Sequence, residues 1–312
     1  MRIAIVGAGM AGLSCATLLV NAGHEVVLFD KGRAPGGRMS TRRLKTSLGE
    51  IGFDHGAQYM TARDPAFVAQ VGRWADGGHV ASWPAAGDDA WVGTPAMSAP
   101  VRDLAGSLDV RWRHRVDALR RDARGWTLHG EGIDPARFHG VIVTVPAEQV
   151  VPLVEAHRPD WAEQARATPS EPCWTVMVGY DTRLRIEDDR LNDLGIIASA
   201  VRNSAKPGRA EPEAWVLQAT GAWSAEHIEA EPGAVERELL AAFAAATARD
   251  LPAPIATSVH RWRFAKSGRL GRDAVWDGER RLGLCGDWLL GGRVEAAWLS
   301  GKRLAETVIT DQ

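Results

Sequence analysis

The chain has 312 residues, 24% of them charged and 45% hydrophobic, and a net charge of -2 at neutral pH; at roughly 150 residues per domain this allows about two domains. Such a composition excludes global disorder and gives no electrostatic basis for nucleic-acid binding. Three scattered cysteines, Cys15, Cys173 and Cys285, build neither a disulfide framework nor a CxxC metal or redox motif, and point to a reducing, cytoplasmic setting.

Arg2 to Val6 is an Ile/Val run that reads as a buried strand, Gly7 to Gly12 turns, and Leu13 to Ala22 has helical apolar periodicity. This opening superficially resembles a signal peptide, but its three regularly spaced glycines would break a signal helix, and the next segment continues a folded unit. A second strand, Glu25 to Phe29, ends at Asp30, giving one βαβ-type opening of a parallel sheet. Gly32 to Ser40 reads as a loop, Pro65 to Ala75 as a helix, Trp83 to Pro95 as turns and Val101 to Gly106 as a helix. Val110 to Leu119 and Trp126 to Gly130 form a predicted hairpin, and Gly140 to Val145 another buried strand. Strands follow at Trp174 to Tyr180, Gly195 to Ala200, Ala214 to Gly221 and Thr257 to Phe264, with an Ala-rich helix at Val235 to Ala248. Leu282 to Cys285 is a closing strand, Gly286 to Gly292 a loop and Val294 to Ile309 a helix. No stretch after the opening one approaches the roughly 18 apolar residues of a membrane span.

Gly7-x-Gly9-x-x-Gly12 stands between strand and helix, with Asp30 closing the next strand. Gly7 permits the tight turn, Gly9 lets backbone approach a pyrophosphate at the positive helix end, Gly12 allows close packing, and Asp30 can accept from ribose hydroxyls. Lys31 and a Gly36-Gly37-Arg38 loop follow at once, and Arg38 is placed to reach a diphosphate. Near the other end, Gly286-Asp287 enters a loop before the last helix. Asp287 there is suited to ribityl hydroxyls and the Arg293 and Val294 amides to a flavin's pyrimidine edge. Together these segments predict FAD.

The residues carrying a wider likeness are VGAGMAGLS (6 to 14), FDKGRAPGGRMSTRR (29 to 43), FDHGAQYMTARDPAF (53 to 67), WVGTPAMSAPVRDLA (91 to 105), RHRV (113 to 116), VTVPAEQ (143 to 149), HRWRFA (260 to 265) and CGDWLLGGRVEAAWLSG (285 to 301). Through them the chain resembles bacterial renalases, within the flavin-containing amine oxidase superfamily. The resemblance implies an α/β fold: a Rossmann-like FAD-binding domain of p-hydroxybenzoate-hydroxylase-like topology, about residues 1–60, 101–160 and 257–312, and a mixed-sheet substrate domain, 61–100 and 161–256. It implies FAD contacts at Ala11, Asp30, Arg38, Gln58, Tyr59, the Val116 backbone, Asp287 and Val294. It also implies oxidation of aberrant 2- and 6-dihydro isomers of NAD(P) to NAD(P)+ by hydride transfer to flavin N5, with O2 reoxidising the flavin to give H2O2. The expected protein is a monomer or weak dimer with no metal and no membrane or nucleic-acid partner.

Direct hydride transfer needs no general base, only a site that sets two flat rings face to face. Tyr59, Trp174, Trp223, His260 and Trp288 are candidate walls, and Asn203 or Thr175 can bond the carboxamide. Arg202, Lys206 and Arg209, around the Pro207-Gly208 turn, are candidates for the substrate phosphates. The alternative for the tryptophans and His260 is core packing, and for the basic turn a solvated loop. Many amine oxidases of this fold place a lysine near flavin N5, whereas no lysine lies here between Lys45 and Lys206; Tyr180 and Asp181 stand at the expected place, with Lys266 as a substitute. Cys285 adjoins the ribityl segment rather than the dimethylbenzene end, so the FAD is expected to be non-covalent. Alternative functions are an amine or related oxidase, a UDP-sugar-mutase-like isomerase, and a non-catalytic flavin-fold binding protein.

Overall fold

The computed structural model describes residues 1–209, 212–247 and 251–311. The described chain forms two compact units, residues 1–37, 101–170 and 267–312 in the first and 38–100 and 171–266 in the second.

The first unit opens with β1 (Arg2–Val6), α1 (Met10–Asn21) and β2 (Glu25–Asp30). The chain passes into the second unit as the ribbon β3 (Thr41–Thr46) and β4 (Gly49–Asp54), then β5 (Met60–Thr61), α2 (Pro65–Asp76), β6 (Val80–Ser82) and β7 (Ala90–Gly93). Helix α2 starts where Asp64 accepts from the Ala66 amide at 2.9 Å and Pro65 fixes the first turn. Back in the first unit come α3 (Ala99–Ala105), β8 (Asp109–Trp112), β9 (Arg115–Asp122), β10 (Gly125–Glu131), β11 (Arg137–Phe138), β12 (Gly140–Val143), α4 (Ala147–Val154) and α5 (Pro159–Arg166). The second unit resumes with β13 (Glu171–Tyr180), β14 (Arg190–Leu194), β15 (Ile197–Arg202), β16 (Glu213–Ala219), α6 (Gly221–Glu226), α7 (Pro232–Thr247) and β17 (Ala256–Lys266). The first is completed by β18 (Val275–Asp277), β19 (Leu282–Leu284), α8 (Asp287–Leu290) and α9 (Val294–Thr310).

The first unit's main sheet has the order β18-β19-β12-β1-β2-β8, parallel throughout except for β18. Its central strands β1, β2, β12 and β19 are almost continuously apolar because both faces are covered. One face carries a core of Val6, Val143, Leu284, Trp126 and Trp288, over which α4 and α5 bring Val150, Leu153 and Trp161. Across α1, the close approach of α9 is possible because Gly301 has no side chain: a Cβ there would stand 2.1 Å from the Ala11 carbonyl oxygen. Ser14 Oγ also donates to the Trp298 carbonyl at 2.9 Å.

In the second unit every described strand pairing is antiparallel, the largest sheet having the order β14-β15-β16-β13-β17. The expectation of a mixed sheet there is corrected. The β14–β15 connection is a tight turn at Gly195 (φ +65°), which gives a hairpin rather than the crossover a parallel pair requires. Mixed direction belongs instead to the first unit's sheet, through β18.

The structure departs from the sequence expectations in three places. Val110 to Leu119 is two strands, because Arg113 (φ +63°) sends β8 into the main sheet and β9 into the hairpin. The charged ribbon β3–β4 falls in a stretch to which the sequence assigns no element; its Ile51 and Phe53 are buried against Met177, Ala214 and Val216. That packing puts residues 38–60 in the second unit, β17 follows β13 along most of its length, and Trp161 and Ala165 of α5 join the first core. Hence the unit boundaries fall at 37, 170 and 267 rather than 60, 160 and 257. Residues 287 to 290 form a short helix where loop was expected, and Ala248, the expected end of the Ala-rich helix, lies outside the described residues. No helix among the described residues is long and apolar enough to cross a membrane.

Candidate functional site

In the first unit the glycine turn is sterically compelled. Gly7 has φ +107°, and a Cβ there would stand 2.6 Å from Thr144 Oγ1; a Cβ on Gly12 would stand 2.1 Å from the Gly7 carbonyl oxygen. Gly9 differs: nothing lies within 4 Å of its Cβ position, and it caps α1, whose first-turn amides have no intrahelical acceptor. The space over a helix N-terminus is therefore open to an anion. Asp30 braces this loop, one carboxylate oxygen accepting from the Ala8 amide at 2.7 Å and the other from the Gly32 amide at 2.6 Å. Each oxygen keeps a lone pair for a further donor. Lys31 Nζ donates to Gln149 Oε1 at 3.2 Å, and Val116 is half-buried on β9.

At the other end of this unit the Gly286 amide donates to Ser300 Oγ at 3.0 Å, Asp287 is buried at the start of α8, and Arg293 caps α9 while pairing with buried Glu295 at 3.5 Å. The expectation that Trp288 lines the ring site is corrected. Helix α8 turns the indole inward, leaving it 1% exposed in the apolar core with Val143, Leu284 and Leu289. Its Nε1 has no hydrogen-bond partner among the described residues.

The second unit holds a buried polar cluster that sequence reasoning did not assemble. Asp54, at the end of β4, accepts from Lys206 Nζ (3.2 Å), Arg209 (2.5 Å), Thr41 Oγ1 (2.7 Å) and the Met97 amide (3.0 Å). Burial alone would raise its pKa, but the two cations and the Thr41 hydrogen bond hold it well below the usual carboxylate range. Lys206 is fully buried, and desolvation lowers its pKa against the opposing pull of Asp54. Lys206 also donates to Gln58 Oε1 at 3.1 Å, while Gln58 Nε2 donates to the Asp54 and Gly56 carbonyls. Arg202, 0% exposed, serves Glu213, Asp189 and the carbonyls of Leu184 and Ile186. Arg202, Lys206 and Arg209 are thus structural cations with internal partners, which corrects their expected use as phosphate ligands.

Beside the ribbon, His55 and His260 meet edge to face at 4.9 Å, and His55 stacks on Trp262 at 5.2 Å. Burial pushes both imidazoles down to about 4, helped for His55 by His260 and Arg42 and for His260 by Arg42. Arg42 Nη2 lies 3.2 Å from His260 Nδ1, and Trp262 Nε1 donates to the His55 carbonyl at 2.8 Å. His260 therefore sits, half-buried, in a neutral imidazole–indole cluster, and His55 is the member sequence analysis did not single out. Its signal was FDHGAQY, where a histidine follows the buried Phe53-Asp54.

The other candidates separate. Asn203, 1% exposed, donates to the Gly52 carbonyl at 2.8 Å and accepts from the Asp54 amide, so its amide serves the fold rather than a carboxamide; Thr175 is equally sealed. Trp174 is 2% exposed with Nε1 on the His227 carbonyl, a core residue rather than a ring wall. Trp223 is half-buried and stacks on His227 at 4.2 Å. Tyr59 is half-buried beside Trp83, with the Arg190 guanidinium over its face at 5.1 Å. Arg38 reaches the Ala265 carbonyl at 3.4 Å, and Gly37 (φ +52°) precedes it at the boundary of the units. Cys173 is half-buried, and desolvation raises its thiol to about 11. Among the described residues no group of three or more His, Cys, Asp or Glu could hold a metal.

Residues 5–71 match the NAD(P)-binding Rossmann-like domain, and residues 82–309 match the flavin containing amine oxidoreductase model. The chain belongs to the flavin containing amine oxidoreductase family. Among its curated relatives, an L-amino-acid oxidase of Crotalus adamanteus is 47% identical over 51 residues, 16% of this chain and 10% of that one. An L-amino acid oxidase of Cerastes cerastes is 55% identical over 42 residues, 14% and 8% of the two chains. The matched stretch thus spans about a tenth of these relatives' length. Cyclohexylamine oxidase from Brevibacterium oxydans IH-35A shares the fold, with TM-score 0.73 and 13% identity over 99% of this chain and 98% of that one. So does a putrescine oxidase with putrescine bound, with TM-score 0.72 and 13% identity over 99% of both chains.

The family is flavin-containing, and the cofactor of this chain is FAD. The first unit fits it at the α1 N-terminus, where nothing occupies the space beside Gly9. The lysine question common to the family has an unexpected answer. Lys266 is 71% exposed and pairs with Glu171, Tyr180 is buried with its hydroxyl raised to about 12 by burial, and Asp181 is exposed. Lys206 is the buried lysine of the second unit, and it is engaged by Asp54 and Gln58.

Proposed function

We propose that this protein is a renalase-like FAD-dependent oxidase of 2- and 6-dihydro isomers of NAD(P). Gly7, Gly9, Ala11 and Gly12 present backbone to the FAD diphosphate, and Asp30 and Lys31 serve the adenosine ribose side. By the resemblance, Gly37, Arg38, Tyr59, Val116, Gly286, Asp287, Arg293 and Val294 are the further residues assigned to the cofactor, with no covalent link; Gln58, assigned with them, is buried with its amide held by Lys206 and the Asp54 and Gly56 carbonyls. When bound, FAD supplies two-electron chemistry: the dihydropyridine loses a hydride to become NAD(P)+, and with one proton the electrons reduce O2 to H2O2.

One observation carries this reading. The cluster of buried His55 with half-buried His260 and Trp262 is polar, and its imidazoles are uncharged at neutral pH because both are pushed to about 4. Such a surface accepts a flat ring without offering a proton acceptor of useful basicity, and hydride loss from a dihydropyridine leaves no proton to remove. His260, Tyr59 and Trp223 are the half-exposed rings available to a flat substrate. The three free cysteines support a reducing, cytoplasmic setting.

Amine oxidation is the second reading, favoured by the family itself. Anaerobic stopped-flow mixing of the yellow holoprotein with 2- and 6-dihydro-NAD(P), and separately with putrescine, cyclohexylamine and L-leucine, decides between them. Flavin bleaching by a dihydro isomer at least a hundredfold faster than by any amine is expected. Bleaching by an amine alone establishes the second reading.

A further inference from the structure

The three cations expected to meet substrate phosphates all face inward onto Asp54, Asp189 and Glu213. One arginine of the same unit is arranged in the opposite way. Arg190 opens β14, the edge strand of the five-stranded sheet, with its backbone paired to Val201. Its guanidinium carbon lies 5.1 Å above the centre of the half-buried Tyr59 ring, and Tyr59 in turn leans on buried Trp83, ring centres 6.0 Å apart. Lys206 Nζ lies 5.8 Å from the same Trp83 ring, so two cations flank one aromatic pair. Yet the Arg190 side chain has no hydrogen bond or ion pair among the described residues, and its Nε is sealed from solvent without an acceptor.

A charged donor withdrawn from water and left unmatched is unfavourable unless something else accepts from it. The aromatic face fixes the plane of the guanidinium, and with Nε sealed it is the pair of Nη groups, which have no partner among the described residues, that is left as a preset fork for an oxyanion. The carboxylates of its own segment do not fill that role. Asp189 is held by Arg202 with Arg183 at 3.9 Å, and Glu187, Asp188 and Asp193 are exposed. We propose that Arg190, braced on the face of Tyr59, binds a phosphate group of the substrate. The site is defined by the arginine, and the ligand's identity rests on the dihydro-NAD(P) reading above.

The test uses FAD-saturated protein and two separate measurements. Calorimetric titration with inorganic pyrophosphate is expected to show binding that Arg190→Gln weakens tenfold or more and Arg190→Lys weakens less, since lysine keeps the charge and loses the planar fork. Matching thermal midpoints in the three proteins establish that the site, not the fold, has changed. Equal affinity in wild type and Arg190→Gln, or no binding by wild type at tens of millimolar, overturns the proposal. Independently, flavin reduction is followed with dihydro-NAD(P) isomers and with the phosphate-free dihydronicotinamide riboside. Arg190→Gln should raise the half-saturating concentration for the dinucleotides tenfold or more and leave the riboside within twofold; an equal effect on both overturns the phosphate role. If pyrophosphate binding depends on Arg190 but no dihydropyridine bleaches the flavin, the anion site stands and the reading of the reaction falls. If the isomers bleach the flavin and Arg190→Gln changes nothing, the reaction stands and the site falls.

Discussion

Asp54→Asn preserves shape and removes one charge from a fully buried cluster. The carboxylate divides its work: one oxygen accepts from Lys206 and Arg209, the other from Thr41 Oγ1 and the Met97 amide. A carboxamide has one acceptor oxygen, so in either orientation its NH2 faces two donors. Charge-assisted hydrogen bonds contribute about 1.5–3 kcal/mol each, and breaking a buried ion pair by removing one partner costs about 3–5 kcal/mol. The expected loss of unfolding free energy at pH 7 is therefore about 3–5 kcal/mol, read by urea denaturation with tryptophan fluorescence. The sign with pH follows from Lys206. Asp54 is the group that opposes its downward shift, so without Asp54 the folded-state pKa falls further while the unfolded lysine stays near 10.4. From pH 7 to the intact protein's Lys206 value of about 8, the variant's folded state binds fewer protons than that of wild type and its deficit narrows, and above that range both proteins gain alike and the deficit levels off. Adding Lys206→Met, which removes the stranded charge, should recover about half of the loss. A deficit below about 1 kcal/mol, or equal deficits in the single and double variants, would refute the cluster's assigned energetics.

Both His55 and His260 are pushed down to about 4, against about 6.5 in the unfolded chain. Stability is thus fully present above pH 6.5 and is lost as pH falls towards 4, by roughly 3 kcal/mol for His55 and less for the more exposed His260. His55→Gln should flatten the decline of the urea midpoint between pH 7 and pH 5; an unchanged slope places the titration elsewhere. Trp288→Ala should cost about 3–5 kcal/mol through the cavity left in the first core, with single-turnover flavin reduction in the surviving holoprotein within about twofold of wild type. Normal stability with tenfold slower reduction would return the indole to the ring site.

The dinucleotide loop was legible because most of its requirements are local: Gly12 stands against the Gly7 carbonyl and Asp30 accepts from the Ala8 and Gly32 amides within one βαβ turn, although the Thr144 side chain that crowds Gly7 comes from far along the chain. The strands that are apolar on both faces, such as Arg2–Val6 and Gly140–Val143, were legible for the same reason. What escaped depends on partners far away in sequence. Thr41–Thr46 carries no clear apolar pattern and becomes a strand only through pairing with Gly49–Asp54, whose Ile51 and Phe53 reach residues beyond 170. Helices α4 and α5 were hidden by Pro152 and Pro159, one tolerated inside a short helix and the other starting one. The ring candidates failed on side-chain direction, which periodicity does not give for a Trp at a strand end or in a Gly-rich turn. Arg202, Lys206 and Arg209 were taken for surface cations because Asp54 and Glu213, which hold them, belong to other strands.

The order of strands in the first unit also dictates a schedule during synthesis. Strand β12, buried at all four residues, lies between β1 and β19. One neighbour is made before it, and the other only after the whole 171–266 segment of the second unit has emerged. At roughly 5–20 residues per second the ribosome leaves that edge without its partner for on the order of ten seconds. For that interval Gly140–Val143 is an unpaired, apolar template for another nascent chain. Slow synthesis, or a stop codon before residue 282, would therefore be felt as aggregation rather than as loss of chemistry, even though every residue of the dinucleotide loop had already been made.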